Sequence, residues 1–213
     1  MSAAQFTSLT ASGLSLSRGP RQLIADLSFS LAAGSAMLMR GANGCGKTSL
    51  LRVLAGLASA DRGNVECQGR TLRPFAPEWR RNVIYAGHSD AIKHDFSAAE
   101  NLAVLLAFDG VEVAPAAFDQ ALEKVQLHDR RHLPAHKLSQ GQKRRIGLAR
   151  LLLSQKPLWL LDEPTNALDA EGVELFADIV HQHLQQGGMA CIATHLPLEL
   201  GATVQQLNLG SRS

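Results

Sequence analysis

The stretch GANGCGKTSL at residues 41–50 leaves this chain few possible folds. It matches G-x-x-x-x-G-K-[ST], with Gly41, Gly46, Lys47 and Thr48 at the fixed places. A phosphate chain needs positive charge brought close without bulky side chains in the way. Glycines let backbone N–H groups face the oxygens, and a helix that starts there presents its positive dipole end. The flanks agree with this. SAMLMR (35–40) reads as a short buried strand, and KTSLLRVLAGL (47–57) as a helix with Leu50, Leu51, Val53, Leu54 and Leu57 on its apolar side. The whole loop, Gly41, Ala42, Asn43, Gly44, Cys45, Gly46, Lys47, Thr48 and Ser49, is the candidate nucleotide-binding segment. Lys47 supplies a point charge for the β- and γ-phosphates, and Thr48 a hydroxyl for Mg²⁺. Cys45 reads as a small residue at a variable position, with a redox role as the alternative.

The rest of the chain extends the same layout. The first strands read as short and alternating, with Leu27, Phe29 and Leu31 on one face. NVECQG (64–69), NVIYAG (82–87), LWLLD (158–162), MACIAT (189–194) and VQQLNL (204–209) read as further strands. Residues 97 to 154 are mainly helical, and Ser97 followed by Glu100 fits a capping box. A helix over about 170–186 ends at Gly187-Gly188. A β-rich start, a phosphate loop, inserted helices and a return to strands predict an α/β fold with a helical insertion.

A nucleotide also needs a metal and an attacking water. Four apolar residues, Leu158 to Leu161, bury a strand that ends on Asp162. An acid at that tip is placed to hold Mg²⁺, and Glu163 beside it to polarise a water. His195 ends the next buried strand, CIATH, where it can donate to the γ-phosphate.

Composition excludes several classes. Lys+Arg is 21 and Asp+Glu is 19, a net charge of +2, which argues against a dedicated nucleic-acid binder. Three cysteines with no CxxC argue against a disulfide framework. No run of about 18 apolar residues exists, so no membrane-spanning helix is expected. The N-terminus has no charged segment followed by an apolar core, so no secretory signal is expected. His128, His132 and His136 are spaced by four, but Pro134 interrupts any helix that would align them. Metal or haem binding by these histidines is not expected. His181 and His183 are two apart on a helix and do not face each other.

Leu138-Ser139-Gln140-Gly141-Gln142, followed by KRRIGLAR, identifies the family. With it, the chain resembles the ATP-binding subunits of ABC transporters over nearly its whole length. GANGCGKT resembles their Walker A motif and LSQGQ their LSGGQ signature, with Gln140 replacing a glycine. LWLLDEP resembles Walker B with its catalytic glutamate at Glu163. Ala167-Leu168-Asp169 resembles the D-loop, and His195 the switch histidine. The resemblance implies a P-loop NTPase core of ABC ATPase type, with a β-rich N-terminal subdomain and an inserted α-helical subdomain. It implies one domain over 1–213, with the core at about 1–87 and 155–213 and the helical part at about 88–154. ATP and Mg²⁺ are the implied ligands. It also implies a homodimer. Lys47, Asp162, Glu163 and His195 of one chain would share a nucleotide with Ser139 and Gly141 of the other.

Two departures stand out. His88 occupies the Q-loop position, where the family usually has glutamine, and an imidazole titrates near neutral pH. Arg18 occupies the place of the aromatic that usually stacks on adenine, and a guanidinium also stacks on a base. GHSDAIKHDFSAAENL, with its Gly-His, is most similar to the ATP-binding subunits of the haem exporter of cytochrome c maturation. Thr165-Asn166 departs from the Phe-Thr common there. That resemblance implies integral membrane partners and a peripheral place on the cytoplasmic face of a bacterial inner membrane. The alternatives are an ABC subunit for another cargo and a soluble ABC-type ATPase.

Overall fold

The computed structural model describes residues 7–87 and 91–210, which form two compact units. The first comprises residues up to 87, 156–163 and from 181 onward; the second comprises the stretch to 155 and 164–180.

Both sheets lie in the first unit. One is antiparallel, in the order β2-β1-β4-β5: β1 (Ser8–Arg18), β2 (Arg21–Ala32), β4 (Arg62–Cys67) and β5 (Arg70–Thr71). The other is parallel, in the order β6-β7-β8-β3-β9: β3 (Ser35–Arg40), β6 (Val83–Ala86), β7 (Leu158–Asp162), β8 (Met189–Ala193) and β9 (Thr203–Asn208). Every residue of β7 and β8 is buried. This is why they read as unbroken apolar runs rather than alternating ones, as strands covered on both faces do.

The first two strands are longer than the sequence pattern suggests, 11 and 12 residues. Register shifts between Ala11 and Leu14 and again near Leu16 break the alternation in β1, which hides its length. Gly63 closes onto one of these irregularities. A methyl there would stand 2.4 Å from the Ser12 carbonyl oxygen, so only glycine fits.

The first helix, α1 (Lys47–Leu54), buries Leu50, Leu51, Val53 and Leu54. It ends three residues before Leu57. Gly56, at φ 69°, closes it with its N–H on the Val53 carbonyl while Leu57 bonds back to Arg52, a Schellman arrangement. A single turn, α2 (Pro77–Arg80), precedes β6, and Trp79 of that turn donates its indole N–H to the Leu54 carbonyl at 2.9 Å.

The second unit is helical. It holds α3 (Ala98–Asp109), α4 (Pro115–Lys124), α5 (Gln140–Leu153) and the start of α6 (Ala170–Gln185), which ends in the first unit. Ser97 and Glu100 form the capping box read from the sequence: Ser97 donates its N–H to Glu100 Oε2 at 2.7 Å, and Glu100 returns its own to Ser97 Oγ at 3.2 Å. Short 3-10 turns at His128–Arg130 and Ala135–Lys137 flank Pro134, so the three spaced histidines share no helix. Arg150 on α5 grips Asp109 at the end of α3 with two bonds, 2.6 and 2.8 Å. This fork-to-fork pair is the strong form of a charged hydrogen bond.

Candidate functional site

The phosphate loop lies between β3 and α1, at the carboxyl end of a central strand of the parallel sheet. Its shape depends on glycines at close quarters. Gly41 sits at φ 145°, and a methyl there would stand 2.3 Å from the Leu209 carbonyl oxygen and 2.7 Å from Cys45 Sγ. Gly46, at φ 114°, begins α1 without any side-chain cap, so the first helical N–H groups have no side-chain acceptor at that position. Those donors and the helix dipole make this end suited to an anion.

Lys47 is buried, and its ammonium folds back over the loop. Nζ donates to the Gly41 carbonyl at 2.7 Å and to the Ala42 carbonyl at 3.4 Å. It also stands 3.3 Å from His195 Nε2. The His195 Nε2 in turn lies 3.2 Å from Glu163 Oε1. Thr48 donates its hydroxyl to Asp162 Oδ2 at 2.7 Å across 114 residues of sequence. Lys47, Thr48, Asp162, Glu163 and His195 thus converge, as the parallel pairing of β7 with β8 and β8 with β3 requires. Glu163 adopts φ 50°, uncommon for a residue with a side chain, and is held by its N–H on the Ala193 carbonyl at 2.9 Å. Strain of this kind collects at functional sites.

The sequence reading missed Tyr85. It lies on β6 opposite Leu160 of β7. Burial, then the negative charge of nearby Asp162, pushes its phenol above the ordinary value, with Arg52 opposing.

The other expected residues are placed as follows. Ala42, Asn43, Gly44 and Ser49 are exposed or half-buried in the loop and the first turn of α1, and Cys45 is buried. Arg18 is exposed at the hairpin end of β1, paired with Arg21. Two side chains of that sheet, Leu23 and Ile24, stand 3.2 Å from where a Gly46 methyl would be. His88 lies outside the described residues. In the second unit, Ser139 caps α5: its hydroxyl accepts from the Gln142 N–H at 3.2 Å, and Gln142 Oε1 accepts from the Ser139 N–H at 3.0 Å. A methyl on Gly141 would stand 2.8 Å from the Ala167 carbonyl oxygen.

Among the described residues no group of three or more His, Cys, Asp or Glu is arranged to hold a metal, and no helix is long and apolar enough to cross a membrane.

A family model described as ABC transporter matches residues 24–166. The cytochrome c biogenesis ATP-binding export protein CcmA of Pseudomonas aeruginosa is 42% identical over 194 residues, spanning 91% of this chain and 95% of its own. The protein of that name from Ruegeria pomeroyi is 45% identical over 197 residues, spanning 92% and 89%. Among solved structures, an ABC transporter ATP-binding protein from Pyrococcus furiosus superposes with a TM-score of 0.84 at 23% identity, over 97% of this chain and 100% of that one. At that identity the likeness speaks for the fold. The matched segment and the two relatives together span the phosphate loop, the Asp162–Glu163 strand and the Ser139 helix, and the chain belongs to the ABC transporter family, in the group of the cytochrome c biogenesis ATP-binding export proteins.

Proposed function

We propose that this chain is the ATP-hydrolysing subunit of a membrane ABC complex that serves haem export or haem-chaperone release in cytochrome c biogenesis. The observation that carries the ATPase reading is the run of contacts from the Lys47 ammonium to His195 and from His195 to Glu163, beside the bond of Thr48 to Asp162. The cargo and the pathway rest on the relatives' names and on the resemblance at GHSDAIKHDF.

Each residue has work that its position suits. The loop N–H groups and Lys47 bind the phosphate chain, Lys47 leaving the Gly41 and Ala42 carbonyls as it does so. The Thr48 hydroxyl and the Asp162 carboxylate are hard oxygen donors that fit Mg²⁺, two of the ligands such an ion accepts beside phosphate and water. Bound there, the ion would neutralise charge on the phosphoryl oxygens. Glu163 orients a water for in-line attack and accepts its proton. His195, whose Nε2 stands 3.2 Å from the Glu163 carboxylate, turns that donor toward the γ-phosphate when ATP binds, adding to the stabilisation that Lys47 provides. The products are ADP and inorganic phosphate.

Two chains act together, in this reading, with Ser139 and Gly141 at the start of α5 facing the nucleotide held by the partner. That helix start has N–H groups and a dipole suited to an anion. Arg18 serves as the adenine-stacking group and His88 as the Q-loop residue. Integral membrane subunits receive the motion on the cytoplasmic face of a bacterial inner membrane. Turnover measured on the full chain, with and without its membrane subunits, tests this reading. Co-purification with cytochrome c assembly subunits and stimulation of turnover by them is the expected result; co-purification with unrelated membrane partners would reassign the cargo and leave the ATPase intact.

A further inference from the structure

We propose that the arginine-rich turn from Arg73 to Arg81, with the exposed Phe75 near its start, binds the anionic headgroups of a bilayer surface. The peripheral place at a membrane proposed above supplies that surface. The turn adds a direct lipid contact beside any made through membrane subunits.

The positive charge of the chain is concentrated here. Residues 70–81 hold Arg70, Arg73, Arg80 and Arg81 against one acid, Glu78. Of 21 basic and 19 acidic residues in all, 17 and 18 lie elsewhere, so the segment carries +3 and the remainder −1. All four arginines are exposed, and among the described residues none of them meets a carboxylate. Four guanidiniums are thus left open to an anionic partner.

Phe75 is an independent sign of a contact. Ala76 donates its N–H to the Arg73 carbonyl at 3.2 Å, closing a turn whose central residues are Pro74 and Phe75. Phe75 stands at φ 64° in the third place of that turn, where glycine or asparagine is usual and a bulky side chain is an outlier. The residue is 57% exposed, so its ring gains little from burial. Neither the turn nor the core calls for an aromatic residue there. An exposed ring among arginines suits the boundary between headgroups and acyl chains.

The turn is fixed from beneath. Phe75 donates its N–H to the Gly56 carbonyl at 2.7 Å, and buried Trp79 donates its indole N–H to the Leu54 carbonyl. Buried Lys156 donates Nζ to the Arg80 carbonyl at 2.9 Å and to the Val83 carbonyl at 3.2 Å. These bonds engage backbone and two buried side chains, and they leave the guanidiniums and the ring outward. A surface ordered in advance loses less freedom on binding. The turn packs on the carboxyl end of α1, whereas the phosphate loop lies at its amino end. A membrane subunit is the poorer partner for this patch, because cytoplasmic loops of membrane proteins carry an excess of Lys and Arg and would repel it.

Co-sedimentation of the full chain with vesicles tests the proposal. One set is phosphatidylcholine alone; the other is an equal mixture of phosphatidylcholine and phosphatidylglycerol. Each basic residue near an anionic surface strengthens binding by about five-fold. The parent is therefore expected to bind the anionic vesicles at least ~50-fold more tightly than the neutral ones, with the difference shrinking as salt rises. The triple variant Arg73→Gln, Arg80→Gln, Arg81→Gln is expected to lose most of that preference, and the matching triple lysine variant to keep it. Phe75→Gly is expected to bind about 10-fold more weakly than the parent. Equal binding of the parent to both vesicle types overturns the proposal. So does parent-like binding by the glutamine variant or by Phe75→Gly, or a loss in the lysine variant as large as in the glutamine one. A parent that binds no vesicles, while the glutamine variant loses co-purifying membrane subunits, overturns it in favour of an acidic protein segment. ATP turnover missing from the parent overturns the ATPase reading and leaves the vesicle result standing.

Discussion

The Thr48 hydroxyl donates to Asp162 Oδ2 at 2.7 Å, joining the first turn of α1 to the tip of β7. A hydroxyl and a carboxylate held this way form one face of a site for a hard cation. Replacing Thr48 by Val removes the hydroxyl without changing the side chain's bulk. Hydrogen bonds to charged groups contribute about 1.5–3 kcal/mol. Calorimetric titration is expected to show ATP affinity reduced at least ~10-fold in the presence of Mg²⁺ and little changed in its absence. Equal losses under both conditions would remove Thr48 and Asp162 from metal binding.

His195 Nε2 stands between Glu163 Oε1 and Lys47 Nζ, at 3.2 and 3.3 Å. A single imidazole nitrogen cannot donate to the carboxylate and accept from the ammonium at once. The phosphate chain, by drawing Lys47 away, frees that nitrogen to act as a donor. His195→Ala is therefore expected to lower kcat by about 10²-fold, within the range of acid–base and orienting groups, while ATP affinity changes little. A fall confined to affinity would place His195 in nucleotide binding alone.

Gly41 and Cys45 make contrasting predictions within one loop. A methyl at 41 meets the Leu209 carbonyl at 2.3 Å, and backbone there cannot yield cheaply. Gly41→Ala is expected to lower the melting temperature and abolish ATP binding, a backbone clash of a few kcal/mol. Cys45→Ser keeps the size of a small buried side chain and is expected to retain most ATPase activity. Collapse of turnover in Cys45→Ser, with the fold intact, would give the thiol a role.

His183 makes the fold sensitive to acid. Its ring stacks on Trp159 at 3.7 Å between centroids, and burial pulls its pKa down to about 4, against the opposing pull of the Met189 and Pro157 carbonyls. The folded value lies below the unfolded one, so the unfolded chain binds the extra proton. Stability from this residue is complete above about pH 6.5 and is lost as pH falls toward 4, by roughly 3 kcal/mol at pH 4. The melting temperature of His183→Phe is expected to fall less steeply than the parent's between pH 6.5 and 4.5. Parallel curves would show that His183 does not carry this proton.

The sequence displays most plainly what burial dictates. LWLLD coincides with β7 because a strand covered on both faces admits no polar residue until its tip, where Asp162 meets Thr48. Ser97 and Ser139 announce α3 and α5 because a capped helix start needs its residues at fixed spacing. The length of β1 was hidden by its register shifts, and the early end of α1 by the apolar Leu57 beyond Gly56. The stack of His183 on Trp159 joins residues 24 apart on different elements, with no local pattern to report it. Arg145 looked like one more basic residue in KRR until Asp169 and Gln126 were seen around its guanidinium.

In the proposed function two chains share ATP, and Glu163 drives its hydrolysis. Glu163→Gln keeps the shape of the side chain and removes its capacity to accept a proton. Light scattering of this variant, coupled to size-exclusion chromatography with and without ATP and Mg²⁺, is the most direct test. The expected result is a monomer without nucleotide, a stable dimer with it, and turnover reduced by about 10²-fold or more. A variant that stays monomeric while saturated with ATP, or that hydrolyses at the parent rate, would contradict it.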